Sequence, residues 1–242
     1  KDIELTANNG SVMVYDQLNS VTGDIYAGTK KGNIVLGDAT NDDAVVAYKD
    51  VSIETPDGVM YINGKTEAQN GNVSLMAGRD VYTSGEEDSV FVIKNQGKVV
   101  AGGSLTLKGR NGDIFVTDDL MAKTGFVADI EGQGAINFGK DVVVTGDILG
   151  KTESGDITIC KNIVSGQGDI TLYTDNGDIS VLDTVHAIQG DVSIVSKQGN
   201  LTMGVNDRDG LGIIANDNIV LDAMAGYINI LGTVQAKEGV LN

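Results

Sequence analysis

The chain has 242 residues, 33 of them glycine and only one, Pro56, proline; its hydrophobic content is 41% and its formal net charge is −17. That hydrophobic content excludes a disordered chain, and the charge disfavours nucleic acid and anionic lipid, whose surfaces gather lysine and arginine. No apolar run approaches the ~18 residues of a membrane helix, and the single cysteine, Cys160, leaves no internal disulfide and no thiolate metal cage.

The opening KDIELTANNG lacks an initiating Met and shows no basic start followed by an apolar stretch, so we read the chain as a segment excised from a longer one. What recurs from there on is a pentapeptide, opened mostly by glycine, whose third and fifth residues are apolar. Its cleanest copies lie between Gly146 and Met203, as GDILG, GDITI, GDITL, GDISV, GDVSI and GNLTM, with starts 9, 13, 9, 13 and 9 residues apart. Apolar residues at period two are strands with one buried face, whereas a helix needs recurrence near 3.6. A step of 9 and a step of 13 make a unit of 22, and fixed self-similarity at that length marks a solenoid. Strands so closely spaced leave no room for crossover helices. The prediction is all-β: one parallel β-helix over residues 1–242, in about ten coils of about 22 residues.

Laid over the chain, this frame starts the first strand of successive coils at Gly23, Lys49, Gly71, Gly103, Gly125, Gly146, Gly168, Gly190, Asp217 and Gly239. The second strands start at Gly10, Gly32, Gly58, Arg79, Gly112, Gly134, Gly155, Gly177, Gly199 and Gly226. A third sheet is expected from Val142 and Val144, Ile163, Val185 and Ala187, Ile213 and Ala215, and Val234 and Ala236. Asp129 falls on an apolar slot, which predicts a bulge that turns Ile130 inward.

In this frame the length changes all follow second strands, after Gly32, Arg79 and Gly199, so the insertions are expected to leave one side of the rod. They carry Asp42 and Asp43, then Glu86, Glu87 and Asp88, then Asp207 and Asp209. Residues 84–101 are expected as an excursion, with Ser89–Ala101 as a projecting hairpin around Asn95-Gln96-Gly97. The outward fourth residue of the second strand reads Met13, Val35, Tyr61, Tyr82 and Phe115 in the early coils, which would stack into an apolar ridge. Such a ridge meets a partner, lies under the hairpin, or is a bare cross-strand ladder, and the sequence admits all three. Tyr61, Tyr82, Phe115, Asp42, Asp43, Glu86, Glu87 and Asp88 are therefore the candidate partner-binding residues.

Catalytic and cofactor-binding clusters are not visible. His186, flanked by Val185 and Ala187, points outward, and with no second histidine it cannot anchor a zinc or serine-hydrolase site. Asp147, Asp169 and Asp191, and Asp156 with Asp178, recur at the repeat spacing and read as turn residues after glycine. A polysaccharide lyase would need a basic residue and carboxylates converging on one groove, and the 17 Lys and Arg residues show no such cluster in sequence. The chain is read as a structural and interaction protein, not an enzyme.

The Gly-Asp-Ile-Thr-Leu style of repeat, together with MAGRDVYTSG (Met76 to Gly85), resembles the haemagglutinin repeats of the filamentous haemagglutinin family, large exoproteins of two-partner secretion systems that include contact-dependent inhibition stalks. The similarity covers nearly all of the chain but rests on degenerate repeat motifs. It implies a right-handed β-helical shaft, export across the outer membrane of a Gram-negative bacterium, and a secreted or cell-surface location. It also implies adhesion to a host or bacterial receptor, or presentation of a distal domain, with further coils of the same exoprotein as neighbours.

Overall fold

The computed structural model describes residues 1–38, 42–78, 91–204 and 212–242. Among these the regular structure is entirely β. Three parallel sheets of ten strands each run the length of the molecule, and each coil contributes one strand to each sheet in turn. Counterparts pair in register: Ile148 with Ile170 and Val192 in the first sheet, Ile157 with Ile179 in the second, Ile163 with Val185 in the third. At ~4.8 Å per coil the rod is roughly 45 Å long.

Period two makes this fold because alternate side chains of every strand meet in the same interior. Ile34 and Leu36, Ile114 and Val116, and Ile179 and Val181 are fully buried in columns that pass from coil to coil. Phe126 and Phe138 fill one level together, their rings 5.5 Å apart and tilted by 60°. The corners explain the rest of the repeat. A Cβ on Gly177 would lie 2.1 Å from the carbonyl oxygen of Gly155, and one on Gly199 would lie 2.0 Å from that of Gly177. Glycine recurs there because coils stack closer than a side chain permits. Beside this column, buried hydroxyls latch one coil to the previous one: Thr174 Oγ1 donates to the Gly155 carbonyl at 3.0 Å and Ser196 Oγ to that of Gly177 at 2.8 Å.

The recurrent aspartates and asparagines link coils; they do not merely shape turns. Asp147 Oδ1 accepts the Asp169 amide at 3.0 Å, Asp169 Oδ1 accepts the Asp191 amide at 2.8 Å, and Asp191 Oδ1 accepts the Asn218 amide at 2.6 Å. The same ladder runs through Asp2, Asp24, Asp50 and Asn72 to Ser104. A parallel one joins Asp156, Asp178 and Asn200 to Tyr227.

The structure corrects the sequence frame in four places. First, a strand at Ile3–Ala7 opens the first sheet, pairing Ile3 with Ile25. Lys1 stands where most later coils place glycine, which weakens the match to the pattern at the start of the chain. Second, the second strand of the fourth coil is Phe91–Gln96, not a run from Arg79. The corner into the third sheet decides this: from Ile62 to Thr66, Asn95 to Val99 and Val116 to Leu120 it takes four residues each time. Val99–Ala101 is accordingly the third-sheet strand of that coil, so Phe91–Gln96 and Val99–Ala101, the described strands of the expected hairpin, lie in different sheets and do not pair with one another.

Third, the insertions leave from two sides. Residues 79–90 fall between the first- and second-sheet strands Val73–Ala77 and Phe91–Gln96. Residues 39–41 and 205–211 fall between second- and third-sheet strands. Fourth, Phe126 pairs with Leu105, 21 residues earlier, so that coil is one residue short before its first strand. Phe126, Ala128 and Ile130 are therefore inward and Asp129 outward. The missing residue returns after Ile130, where Gln133 pairs with Ser154 around Gly132 at φ 91. Ile130 is inward as expected, but the irregularity follows it.

Candidate functional site

Of the sequence candidates, Tyr82, Glu86, Glu87 and Asp88 lie outside the described residues. The outward column of the second sheet runs Met13, Val35 and Tyr61, then, past register position 94, Phe115 and Asn137. By register, position 94, not 82, stands between Tyr61 and Phe115. Val35, Tyr61 and Phe115 are half-buried, which matches a cross-strand ladder more closely than a bare apolar surface.

Asp42 is exposed and Asp43 half-buried, on the corner between the second and third sheets. Asp43 is engaged: its Oδ1 lies 3.0 Å from Lys65 Nζ, whose ammonium also meets Glu67 at 2.8 Å. Glu67 foremost, with Asp43 adding, holds the Lys65 ammonium above its ordinary pKa against the opposing effect of partial burial. Along the same corner Lys98 pairs with Asp119 at 3.0 Å, Lys140 with Asp118 at 2.9 Å and Lys161 with Asp183 at 3.2 Å. Lys140, more than any other neighbour, keeps the Asp118 carboxyl below the usual carboxylate range. A groove of about 510 Å³ between Asp38, Asp42, Lys65, Lys98 and Asp118 is thus lined by both signs of charge, not by a purely acidic rim.

The structure places exposed apolar surface elsewhere. The outward column of the third sheet reads Val100, Met121, Val143, Val164 and His186 over five consecutive coils, and Ile214, next in register, is buried. Met121 is 43% exposed, Val143 39% and the corner residue Ile188 43%. With Val100, Val164 and Gln69 they line a shallow groove of about 430 Å³. The signal was present in the sequence, since Val143 and Val164 are the middle residues of third-sheet triplets whose inward members the frame had identified.

His186 sits in this column with its Nε2 buried and without a hydrogen-bond partner. Burial, and secondarily the nearby Lys237 charge, depresses its pKa. Cys160 is half-buried at a corner, where its amide donates to the Phe138 carbonyl at 2.9 Å. On the first sheet, Tyr173, Asp175 and Lys197 form a cluster. The Tyr173 hydroxyl donates to Asp175 at 2.5 Å, Lys197 Nζ reaches the same carboxylate at 2.6 Å, and the ammonium stands 5.3 Å from the Tyr173 ring centre.

One convergence of charge was hidden in sequence. Lys108 and Asp129 are register partners on the outward face of the first sheet. With Arg110, Glu131, Met76 and Pro56 they line a cleft of about 190 Å³. Among the described residues, neither Lys108 nor Arg110 belongs to an ion pair, whereas Lys65, Lys98, Lys140, Lys161 and Lys197 do. Two cations on one coil thus face two carboxylates on the next. The grouping was invisible because the four residues spread over 24 positions of sequence and meet only through the 21-residue step between Leu105 and Phe126. No group of three or more histidine, cysteine, aspartate or glutamate side chains among the described residues could hold a metal ion. Comparison with family models, with curated proteins and with solved structures gives no match.

Proposed function

We propose that the chain is a rigid shaft segment of a secreted or cell-surface exoprotein of the filamentous haemagglutinin type, with an adhesive role. The observation that carries this reading is the parallel pairing of three sheets through ten coils. Each coil is tied to the next by the backbone, the apolar columns and the side-chain ladders, an arrangement suited to transmitting load along one axis. The net charge of −17 keeps such a rod soluble and directs it toward basic or cation-bridged partners. Adhesive contact is best supported on the third-sheet column, where Met121 and Val143 offer exposed apolar atoms beside a row of ion pairs. Tyr61 and Phe115 offer less.

The test is attachment of the purified segment to host or bacterial cells. Substituting Met121 and Val143 by serine is expected to reduce attachment with the fold retained, and substituting Tyr61 and Phe115 to reduce it less. Equal attachment by all folded variants would make the segment a passive stalk, the role a contact-dependent inhibition exoprotein would need. The cleft of Lys108, Arg110, Asp129 and Glu131 favours a second reading, a β-helical enzyme on acidic polysaccharide. Its volume of about 190 Å³ is small beside the roughly 300 Å³ at which ligand pockets begin. Release of unsaturated sugar from an acidic polysaccharide, abolished by Arg110→Ala, would favour it over the shaft.

A further inference from the structure

A buried polar pair joins the third and fourth coils at positions that the neighbouring coils fill with apolar side chains. Asn95 and Thr66 are fully buried. Asn95 stands where the neighbouring coils place Ile62 and Val116, and Thr66 where they place Val45 and Val99. Thr66 Oγ1 donates to Asn95 Oδ1 at 2.8 Å, and Asn95 Nδ2 donates to the Gly97 carbonyl at 2.8 Å. The bond therefore joins the third strand of one coil to the second strand of the next.

The strand that carries Asn95 has two ways to face the core. Its sequence is Phe91-Val92-Ile93-Lys94-Asn95-Gln96, so in an unshifted strand positions 91, 93 and 95 would fall on one face. The observed register puts Ile93 beside Met60 and Ile114 and Asn95 beside Ile62 and Val116. Phe91 is opposite Asp113, outside the inward columns, with a register shift between Phe91 and Ile93. A slide of two residues would place Phe91 and Ile93 in both columns and move Asn95 to the corner. On apolar burial alone the slid register is the better one, because register follows the hydrophobic pattern. The slide shortens the connection from Val73–Ala77, which contains residues 79–90, and lengthens the four-residue corner to Val99. Longer corners occur at the same place in other coils, from Leu36 to Val45 and from Met203 to Ile213.

We infer that the buried hydrogen bond between Thr66 and Asn95 is a register lock, which holds Phe91–Gln96 in place against a two-residue slide that the apolar pattern favours. In the slid register the Thr66 hydroxyl stays buried with no partner, and a lone buried donor costs more than the bond itself contributes. Buried polar pairs select register in this way at some cost in stability. The lock acts where it is most needed, on the first strand after the longest insertion in the chain.

The test is disulfide trapping in a C160S background. Position 115 faces position 94 in the observed register and would face position 92 after the slide. K94C/F115C therefore reports the first register and V92C/F115C the second. With Thr66 present only the 94–115 cross-link is expected. T66V should raise the 92–115 cross-link about tenfold, the shift that ~1.4 kcal/mol of lost selectivity produces. T66V/N95I, which makes both columns apolar in the observed register, should restore the 94–115 cross-link alone. Should T66V not fold, N95S is read in its place, since the serine hydroxyl is too short to reach Thr66. A T66V or N95S chain that forms only the 94–115 cross-link would overturn the lock, and so would a double variant that slides as readily as T66V.

Discussion

Replacing Asp169 separates the two things its carboxylate does. Its Oδ1 accepts the Asp191 amide at 2.8 Å, while its charge stands one coil from Asp147 and one from Asp191. Asp169→Asn keeps the acceptor and lowers the charge of the column. Its new amide nitrogen can also donate to Asp147 Oδ1, as Asn162 Nδ2 does to Asp141 at 3.0 Å and Asn200 Nδ2 to Asp178 at 3.1 Å. Two like charges ~4.8 Å apart in a water-like dielectric repel by roughly 0.9 kcal/mol, so relieving two neighbours is worth about 1.5 kcal/mol at low ionic strength and less as salt is added. Exchanging a charged acceptor for a neutral one returns about 0.5–1 kcal/mol of that. Asp169→Asn should therefore match or slightly exceed the parent. Asp169→Ala gains the same relief but loses the bond, and should fall about 1 kcal/mol below the asparagine variant. Urea denaturation at low and high salt reads both numbers, because only the repulsive part should fade as the Debye length shrinks. Equal stability of the alanine and asparagine variants, at either salt, would refute the claim that this ladder bonds coil to coil.

Three further outcomes follow from the same geometry. Gly177→Ala should destabilise by about 1–3 kcal/mol in thermal melts, because the new methyl meets the Gly155 carbonyl at 2.1 Å; a neutral result would remove the steric account of the glycine columns. Ile170→Asp, fully buried between Ile148 and Val192, should cost roughly 4 kcal/mol or more and raise hydrogen exchange in the adjoining coils first. His186 is the only histidine, so one imidazole resonance reports it; its midpoint should lie below the ordinary 6.5, because burial and then Lys237 oppose its charged form. Since the unfolded chain then binds the proton more readily, stability should fall as pH drops through 6.5, and His186→Val should flatten that limb.

The coil repeat was readable because its two causes act on single residues: alternation puts Ile157 and Ile159 inside, and close stacking demands glycine at positions such as 155 and 177. What the sequence concealed depended on neighbours a coil away. Asp169 looks like a turn residue until its partner, the amide of Asp191, is in place. Arg79-Asp80 imitates a strand opener, and only the four-residue corner between Asn95 and Val99 shows that Phe91–Gln96 holds the slot. The neighbours of the candidate residues were hidden for the same reason: the sequence frame joins Tyr61 to Phe115 through position 82, whereas the register joins them through position 94. The third-sheet column was overlooked because each three-residue strand exposes a single side chain. Met121 and Val143 become a surface only when stacked.

Pulling the chain by its two ends tests the shaft most directly. If load passes from coil to coil, the rod should unzip in steps that release one coil, or a whole number of coils, at a time. A typical coil of 22 residues, such as that from Ile148 to Ile170, extends to about 75 Å at ~3.4 Å per residue and gives up ~4.8 Å of folded length, so increments of about 70 Å are expected. The coils that carry the insertions, such as that from Val73 to Leu105, should give proportionately longer steps. A single rupture that releases the whole chain at once would contradict the coil-by-coil account.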